Sequence, residues 1–309
     1  MITQADIEAA AARIQGHVRN TPMLTVEPGG AAPSAVALKL EHLQITGSFK
    51  LRGAFNTMLA GPMPTAGVVA ASGGNHGAAV AYAATRLGAR STIFVPALIA
   101  DPVKIARMKR FGAEIVLIEG GVDDVMRAYA AHAERTGALS VHPYDAPPTL
   151  AGQGTLGLEI ERDAPALDTL LVSVGGGGLI GGIVSWYAGR IRIVAVETEG
   201  TNSLAQTLAS GRKAQVTPQG IAASALGAQS VGDLPIAAMS AYPVESAVVT
   251  DAAVCDAQTW LWEGARLAVE PGAATAMAAL TSGIYTPSAD ERVAVLLCGG
   301  NAAPGWFLD

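Results

Sequence analysis

Little in this sequence carries sulfur, charge or an aromatic ring, and each shortage closes off a class of protein. Two cysteines, Cys255 and Cys298, are too few for a disulfide framework. The five histidines are scattered without the spacing of metal ligands. Charged residues make up 15% of the chain and the net charge is −6, so there is no basic footprint for nucleic acid or an anionic membrane surface. No apolar run is long enough to span a bilayer, and the opening MITQADIEAAAARIQGHV lacks the basic-then-apolar pattern of a signal peptide. The expectation is a soluble, cytoplasmic protein with no membrane or nucleic-acid partner. What is abundant is apolar: half of the 309 residues are hydrophobic, although only 5% are aromatic. That balance argues against disorder and fits buried parallel strands with Ala/Gly-rich helix packing. The length allows one or two domains.

Strand-like and helical stretches alternate along the middle of the chain. GVVAAS (67–72), STIFVP, EIVLIE and LSVH read as strands, separated by helices that stop near Gly88, Gly112 and Glu134. Asp101-Pro102 supplies an N-cap and a first-turn proline for one of these helices. After the loop HPYDAPP (142–148) the alternation resumes: a helix from about Thr149, the strand DTLLVSV, a glycine-rich turn, a helix to about Ala188, and the strand RIRIVAVE. Residues 211–250 read less clearly; two helices (about 252–268 and 272–281) and the strand ERVAVLLC follow. The pattern predicts an α/β fold of two open parallel-sheet domains, one built mainly from residues 55–145. In such sheets ligands bind beyond the carboxyl ends of the strands, so the turns SGGNHG (72–77), GGGGLIGG (175–182) and CGGN (298–301) are the candidate site.

Lys50 lies in the first turn of the helix read from TGSFKLRGAFNTML (46–59), with Ser48 as its N-cap and Leu51, Ala54, Phe55, Met58 and Leu59 on one face. The helix dipole and desolvation beside Phe49 should both lower its pKa, toward the neutral amine that a Schiff base requires. Taken alone, a solvated lysine near a helix start is the commoner case. In GGGGLIGG, consecutive backbone N–H groups can face one anion, a phosphate above all. Gly176, Gly178 and Gly181 also satisfy G-x-G-x-x-G, with Glu197 at about the spacing of a ribose-binding acid, so a dinucleotide site stays open at this point. Asn75 could hold a carboxylate or a phenolate oxygen, or simply shape a tight turn. Cys298 could act as a buried thiol partner or pack as a small hydrophobe. Glu197 and Glu270 could face one cleft, though surface glutamates are the more frequent case.

Taken together, SFKLRGA, ASGGNHG, HPYDAPPTLAGQGT, VGGGGLIGG, VEPGAATA and CGGN, in that order, resemble the fold-type II pyridoxal-phosphate enzymes over nearly the whole chain. Within them the closest resemblance is to the threonine dehydratase and serine racemase branch. It implies a tryptophan synthase β-like architecture: a large cofactor-binding domain from residues 1–54 and 146–309, and a small mobile domain from 55–145. It implies pyridoxal 5'-phosphate as cofactor, an amino-acid substrate and a homodimer. Lys50 matches the Schiff-base lysine, which also takes the α-proton, and Phe49 the residue packed on the cofactor ring. Asn75 matches the amide that bonds the phenolic oxygen. Ser72, Gly74, Asn75 and His76 match the loop that receives the substrate carboxylate. Gly175, Gly176, Gly177 and Gly178 match the phosphate loop, and Cys298 the group facing the pyridine nitrogen, where a thiol leaves the ring a weaker electron sink than a carboxylate would.

Two departures narrow the expected reaction. In the racemase branch a serine typically stands at Gly73, opposite the lysine; glycine cannot supply that second acid or base. The same branch holds a cation through a Glu, matched by Glu197, and an Asp, where this chain has Ser203; Glu197 with backbone carbonyls and water is all that remains for a metal. The expected activity is α,β-elimination from L-threonine, L-serine or a related β-hydroxy amino acid, giving a 2-oxo acid and ammonia. Racemisation, β-replacement, a cofactor-binding protein without turnover, and a nicotinamide-dependent dehydrogenase are the alternatives.

Overall fold

The computed structural model describes residues 1–27 and 35–301. Helix α1 (Gln4–Ile14) leads into strands β1 (Met23–Val26) and β2 (Val36–Lys39). Helix α2 (Lys50–Leu59) then opens a regular alternation: β3 (Val68–Ala71), α3 (Asn75–Arg86), β4 (Ser91–Pro96), α4 (Pro102–Arg110), β5 (Glu114–Ile118), α5 (Val122–Thr136) and β6 (Leu139–Ser140). It continues as α6 (Pro147–Asp163), β7 (Thr169–Ser173), α7 (Gly178–Tyr187), β8 (Arg192–Thr198) and α8 (Ser203–Ser210). The chain then forms α9 (Ala223–Leu226), α10 (Asp233–Ala241), β9 (Glu245–Val249), α11 (Asp251–Ala265), α12 (Pro271–Thr281) and β10 (Val293–Leu296).

Two sheets result. One has four parallel strands in the order β5-β4-β3-β6; the other has six in the order β1-β2-β10-β7-β8-β9. Only β1 runs antiparallel in the six-stranded sheet. Strands β7 and β10 are buried along their whole length, as expected of apolar runs covered by helices on both faces. The mixed α/β fold with two parallel sheets is therefore as the sequence predicted.

Local signals act as expected in several places. Asp101 caps α4 by accepting from the N–H groups of Val103 and Lys104, with Pro102 at the first helical position. Elsewhere the tertiary structure overrides them. Ser48 is not the N-cap of α2: Phe49 holds that position without a side-chain cap. Ser48 instead pairs with Gly299 in an isolated bridge, and its hydroxyl is buried without a partner. Phe49 is already in helical conformation, with φ −56° and ψ −22°, so the helix opens one residue beyond Ser48. Helix α6 begins at Pro147, two residues before the expected Thr149, and LSVH contributes only Leu139–Ser140 as strand. The segment that read poorly holds α9, α10 and the strand β9, which lies parallel to β8.

Helix α2 is not simply amphipathic. Leu51, Ala54, Phe55 and Met58 enter the core of the four-stranded sheet, while Arg52, Gly53 and Asn56 on its other side are buried as well. That second side meets α6 at very short range: a Cβ on Gly152 would lie 2.7 Å from the Arg52 carbonyl oxygen. Helix α2 is thus wedged between the two halves of the fold, with Lys50 at its first residue.

Candidate active site

Lys50 is positioned by contacts at both ends of its neighbourhood. Beside the Ser48–Gly299 bridge, the Phe49 N–H donates to the Cys298 carbonyl at 3.1 Å, tying the start of α2 to the chain leaving β10. The Lys50 Nζ donates to the Pro143 carbonyl at 2.7 Å and sits 4.9 Å from the centre of the Phe49 ring. Burial pushes the amine down from 10.5 to about 8. The desolvation argument from sequence thus holds in direction.

A second anchor lies under this start of α2. Arg52 reaches Glu41 with two nitrogens, Nε to Oε1 at 2.7 Å and Nη2 to Oε2 at 2.9 Å, and Glu159 at 3.0 Å. Lys39 contacts Glu159 at 2.8 Å and Asp163 at 2.9 Å. Thr21 completes the set, bonding both Glu41 and Glu159. Lys39, Glu41, Arg52 and Glu159 are all buried. Burial opposes the Arg52 charge, but the Glu41 and Glu159 carboxylates outweigh it and hold its pKa above the ordinary arginine value. Sequence reasoning missed this network; four charged residues inside otherwise apolar segments were the available signal.

The glycine-rich turn 175–178 joins β7 to α7. Gly177 takes a left-handed φ of +85°, which allows the chain to turn directly into the helix. The first N–H groups of α7 have no acceptor within the helix and point toward the turn. The Tyr144 side chain lies against it: a Cβ on Gly176 would fall 2.4–2.6 Å from three of its ring carbons. Tyr144 is therefore a site neighbour that no sequence signal beyond the HPYDAPP motif marked.

Asn75, at the start of α3, lies at the centre of a cluster. Its Nδ2 donates to Glu270 Oε1 at 2.7 Å, and its Oδ1 accepts from Asn301 Nδ2. Glu270 is the N-cap residue of α12, yet its side chain makes no cap; it lies against Gly299, where a Cβ would meet Oε1 at 1.8 Å. Burial pushes the Glu270 carboxyl up to about 7, opposed by the bond from Asn75 and the charges of Lys104 and Arg107. Ser72 Oγ accepts from the Gly74 N–H at 3.2 Å. His76 turns inward, its Nε2 2.8 Å from the Val141 carbonyl; burial first, and the nearby Lys50 charge second, push its pKa down to about 3, so the ring is neutral. Next to Gly299, Cys298 is buried, and burial followed by the Glu270 charge raises its thiol well above the ordinary cysteine value. It is a neutral thiol at any working pH.

The structure thus brings together Lys50, Phe49, Asn75, Glu270 and Cys298, and the segment Pro143–Tyr144 links them to the 175–178 turn, Pro143 accepting from Lys50 and Tyr144 lying against Gly176. Glu197 is placed otherwise. Its two carboxylate oxygens accept from the N–H groups of Leu204 at 2.9 Å and Ala205 at 2.7 Å, at the start of α8. Both of its oxygens are engaged by the first turn of α8. The side chain is also fully buried, which closes it to a ribose. The Ser203 hydroxyl beside it is buried and without a partner. Among the described residues there is no group of three His, Cys, Asp or Glu side chains placed to hold a metal ion, and no helix long and apolar enough to cross a membrane.

Comparison with known proteins agrees with this geometry. The family model described as "Pyridoxal-phosphate dependent enzyme" matches residues 14–299. An L-threonine ammonia-lyase of Thermotoga maritima is 35% identical, over 97% of this chain and 76% of its own. A phenylserine dehydratase of Ralstonia pickettii is also 35% identical, over 99% of this chain and 96% of its own. The structure of maize serine racemase superposes with a TM-score of 0.92 at 31% identity, covering 99% of this chain and 95% of that one.

Proposed function

The chain belongs to the pyridoxal-phosphate dependent enzymes, and from that premise we propose that it is an ammonia-lyase of the threonine/serine dehydratase type. Its substrate would be L-threonine, L-serine or a related β-hydroxy amino acid, and its products a 2-oxo acid and ammonia. The observation that carries the proposal is the Lys50 amine, half-buried at the start of α2 and pushed down to about 8, together with a bare glycine at position 73.

The residues present fit the cofactor. The 175–178 turn is a cradle without side chains, closed by Tyr144 where a Cβ on Gly176 or Gly178 would fall, and the N–H groups of α7 offer donors to a phosphate. Phe49, stacked near Lys50, is placed to cover a ring. When bound, pyridoxal 5'-phosphate supplies an electron sink that acidifies the α-proton of an amino acid. Lys50 is the group to hold the cofactor and then to accept that proton, for which a near-neutral amine is suited. The first N–H groups of α3, with Ser72, offer donors to a substrate carboxylate. The neutral Cys298 thiol gives a ring nitrogen no negative charge, which favours elimination over a long-lived carbanion. Gly73 has no side chain to return a proton to the other face, which disfavours racemisation.

The same reading carries the division into a large unit (1–54 and 146–309) and a small mobile one (55–145), a homodimer, and a cytoplasmic location. Light scattering of the purified protein checks the dimer. The function itself is tested by a visible absorption spectrum before and after adding L-threonine, with Lys50→Ala alongside. The expected result is a visible band in the wild type, altered by threonine as 2-oxobutanoate appears, and no turnover by the variant. A band indifferent to threonine and serine would redirect the search to bulkier β-hydroxy amino acids such as phenylserine, the substrate in the name of one relative. A protein that stays colourless with added pyridoxal phosphate would overturn the proposal.

A further inference from the structure

We propose that Asn301 and Glu270 are positioning residues that lock the Asn75 side-chain amide with its nitrogen, not its oxygen, available to the cofactor. The inference rests on the reading above and deepens it, because a phenolate oxygen can be stabilised only by a donor.

A chain of contacts fixes the donor and acceptor roles. It starts at the Thr46 carbonyl, which can only accept; it receives Arg107 Nη2 and, at 3.2 Å, Asn301 Nδ2. An Asn301 turned the other way would set oxygen against oxygen there, so its nitrogen faces Thr46. That same nitrogen spends its other hydrogen on Asn75 Oδ1. Asn75 is therefore held with its oxygen toward Asn301 and its nitrogen toward Glu270 Oε1, 2.7 Å away. One Nδ2 hydrogen goes to Glu270 and one remains unspent. The Thr46 end resists reversal because a backbone carbonyl can only accept, and the Glu270 carboxylate accepts whenever it is ionised.

The backbone shows how closely the relay is built. Gly47 has a φ of +70°, and a Cβ there would lie 2.4 Å from Asn301 Oδ1. The Gly300 N–H donates to the Gly47 carbonyl at 2.9 Å, pinning the chain next to Asn301. Gly299 must likewise lack a side chain because Glu270 Oε1 occupies the space. The relay joins α3 to α12 and to the chain after β10, so it also spans the two halves of the fold.

The test is Asn301→Asp, which keeps the shape of the side chain but can no longer donate to Thr46 or Asn75, with Asn301→Leu and Asn75→Ala alongside. The readouts are the dissociation constant for pyridoxal phosphate, the pH midpoint of the visible band of the bound cofactor, and the melting temperature of the cofactor-free protein. Expected is a roughly tenfold loss of cofactor affinity and a shifted midpoint in both Asn301 variants, the scale of one hydrogen bond. Combined with Asn75→Ala, either variant should add less than about twofold, since the amide they orient is gone. A cofactor affinity for Asn301→Asp within twofold of wild type, or effects that add fully to Asn75→Ala, would overturn the proposal and leave Asn301 a packing residue. A wild-type protein that takes up no cofactor would instead sink the functional reading, before any variant is made.

Discussion

Replacing Arg52 by methionine tests what holds the start of α2 in place. Arg52 is 1% exposed and makes three short contacts to Glu41 and Glu159. Methionine retains much of the volume and removes the charge. Glu159 keeps Lys39 at 2.8 Å, but Glu41 loses its one ion pair and is left with hydrogen bonds from Thr21 and Gln44. Stranding a buried charge in this way typically costs about 3–5 kcal/mol, far more than the intact pair is worth over an apolar replacement. For a chain of this size, that corresponds to a fall in melting temperature of roughly 5–8 °C. The assay is thermal and urea unfolding of the cofactor-free protein. The double variant Arg52→Met/Glu41→Gln should recover about half of the loss, because it removes the stranded charge. If Arg52→Met lies within about 1 kcal/mol of wild type, or if the double variant is less stable than the single, the reasoning fails.

Gly176→Ala forces a methyl group to within 2.4–2.6 Å of the Tyr144 ring; over-packing of this kind costs about 1–3 kcal/mol. Equilibrium dialysis should show cofactor affinity falling about tenfold, with recovery in Gly176→Ala/Tyr144→Ala. Gly73→Ser needs only a small shift, since its Cβ would meet Val95 Cγ1 alone, at a tight 3.2 Å. The variant should fold and, with the hydroxyl that the racemase branch typically carries at this position, form D-serine from L-serine above the wild-type level; chiral chromatography decides, and no gain would remove position 73 as the determinant. Glu270 gives a pH prediction. Burial raises its folded value from 4.5 to about 7, so its contribution to stability is fully present below pH 4.5 and is lost as pH rises through 7. The stability of Glu270→Gln relative to wild type should therefore increase between pH 5 and pH 8 in urea unfolding. A constant difference would show that this carboxyl does not titrate there.

Much of the fold was legible because its signals are local. Buried parallel strands are short apolar runs, and their positions emerge from composition alone, as in STIFVP, which became β4 from end to end. The glycine-rich turns were equally visible, and their order along the chain was enough to identify the family. The register of residues 211–250 was not legible, because β9 is specified by its parallel pairing with β8 rather than by any run of its own.

The polar atoms of the site followed a different rule. The sequence by itself determined which residue types are present at Lys50, Asn75, Glu270 and Cys298, and the order of the turns that carry them. Only the tertiary structure decided which of them meet: Lys50 with Pro143 across 93 positions, Asn75 with Glu270 across 195, Asn301 with Asn75 across 226. Ser48, a good cap by its type, was drawn into a bridge with Gly299, and Glu197, a good cleft acid by its position, was captured by the N–H groups of α8. The physical reason is common to both. A hydrogen bond depends on the angle and distance between two particular atoms, and once water is excluded each buried polar group must take whichever partner the packing of the two sheets brings within reach.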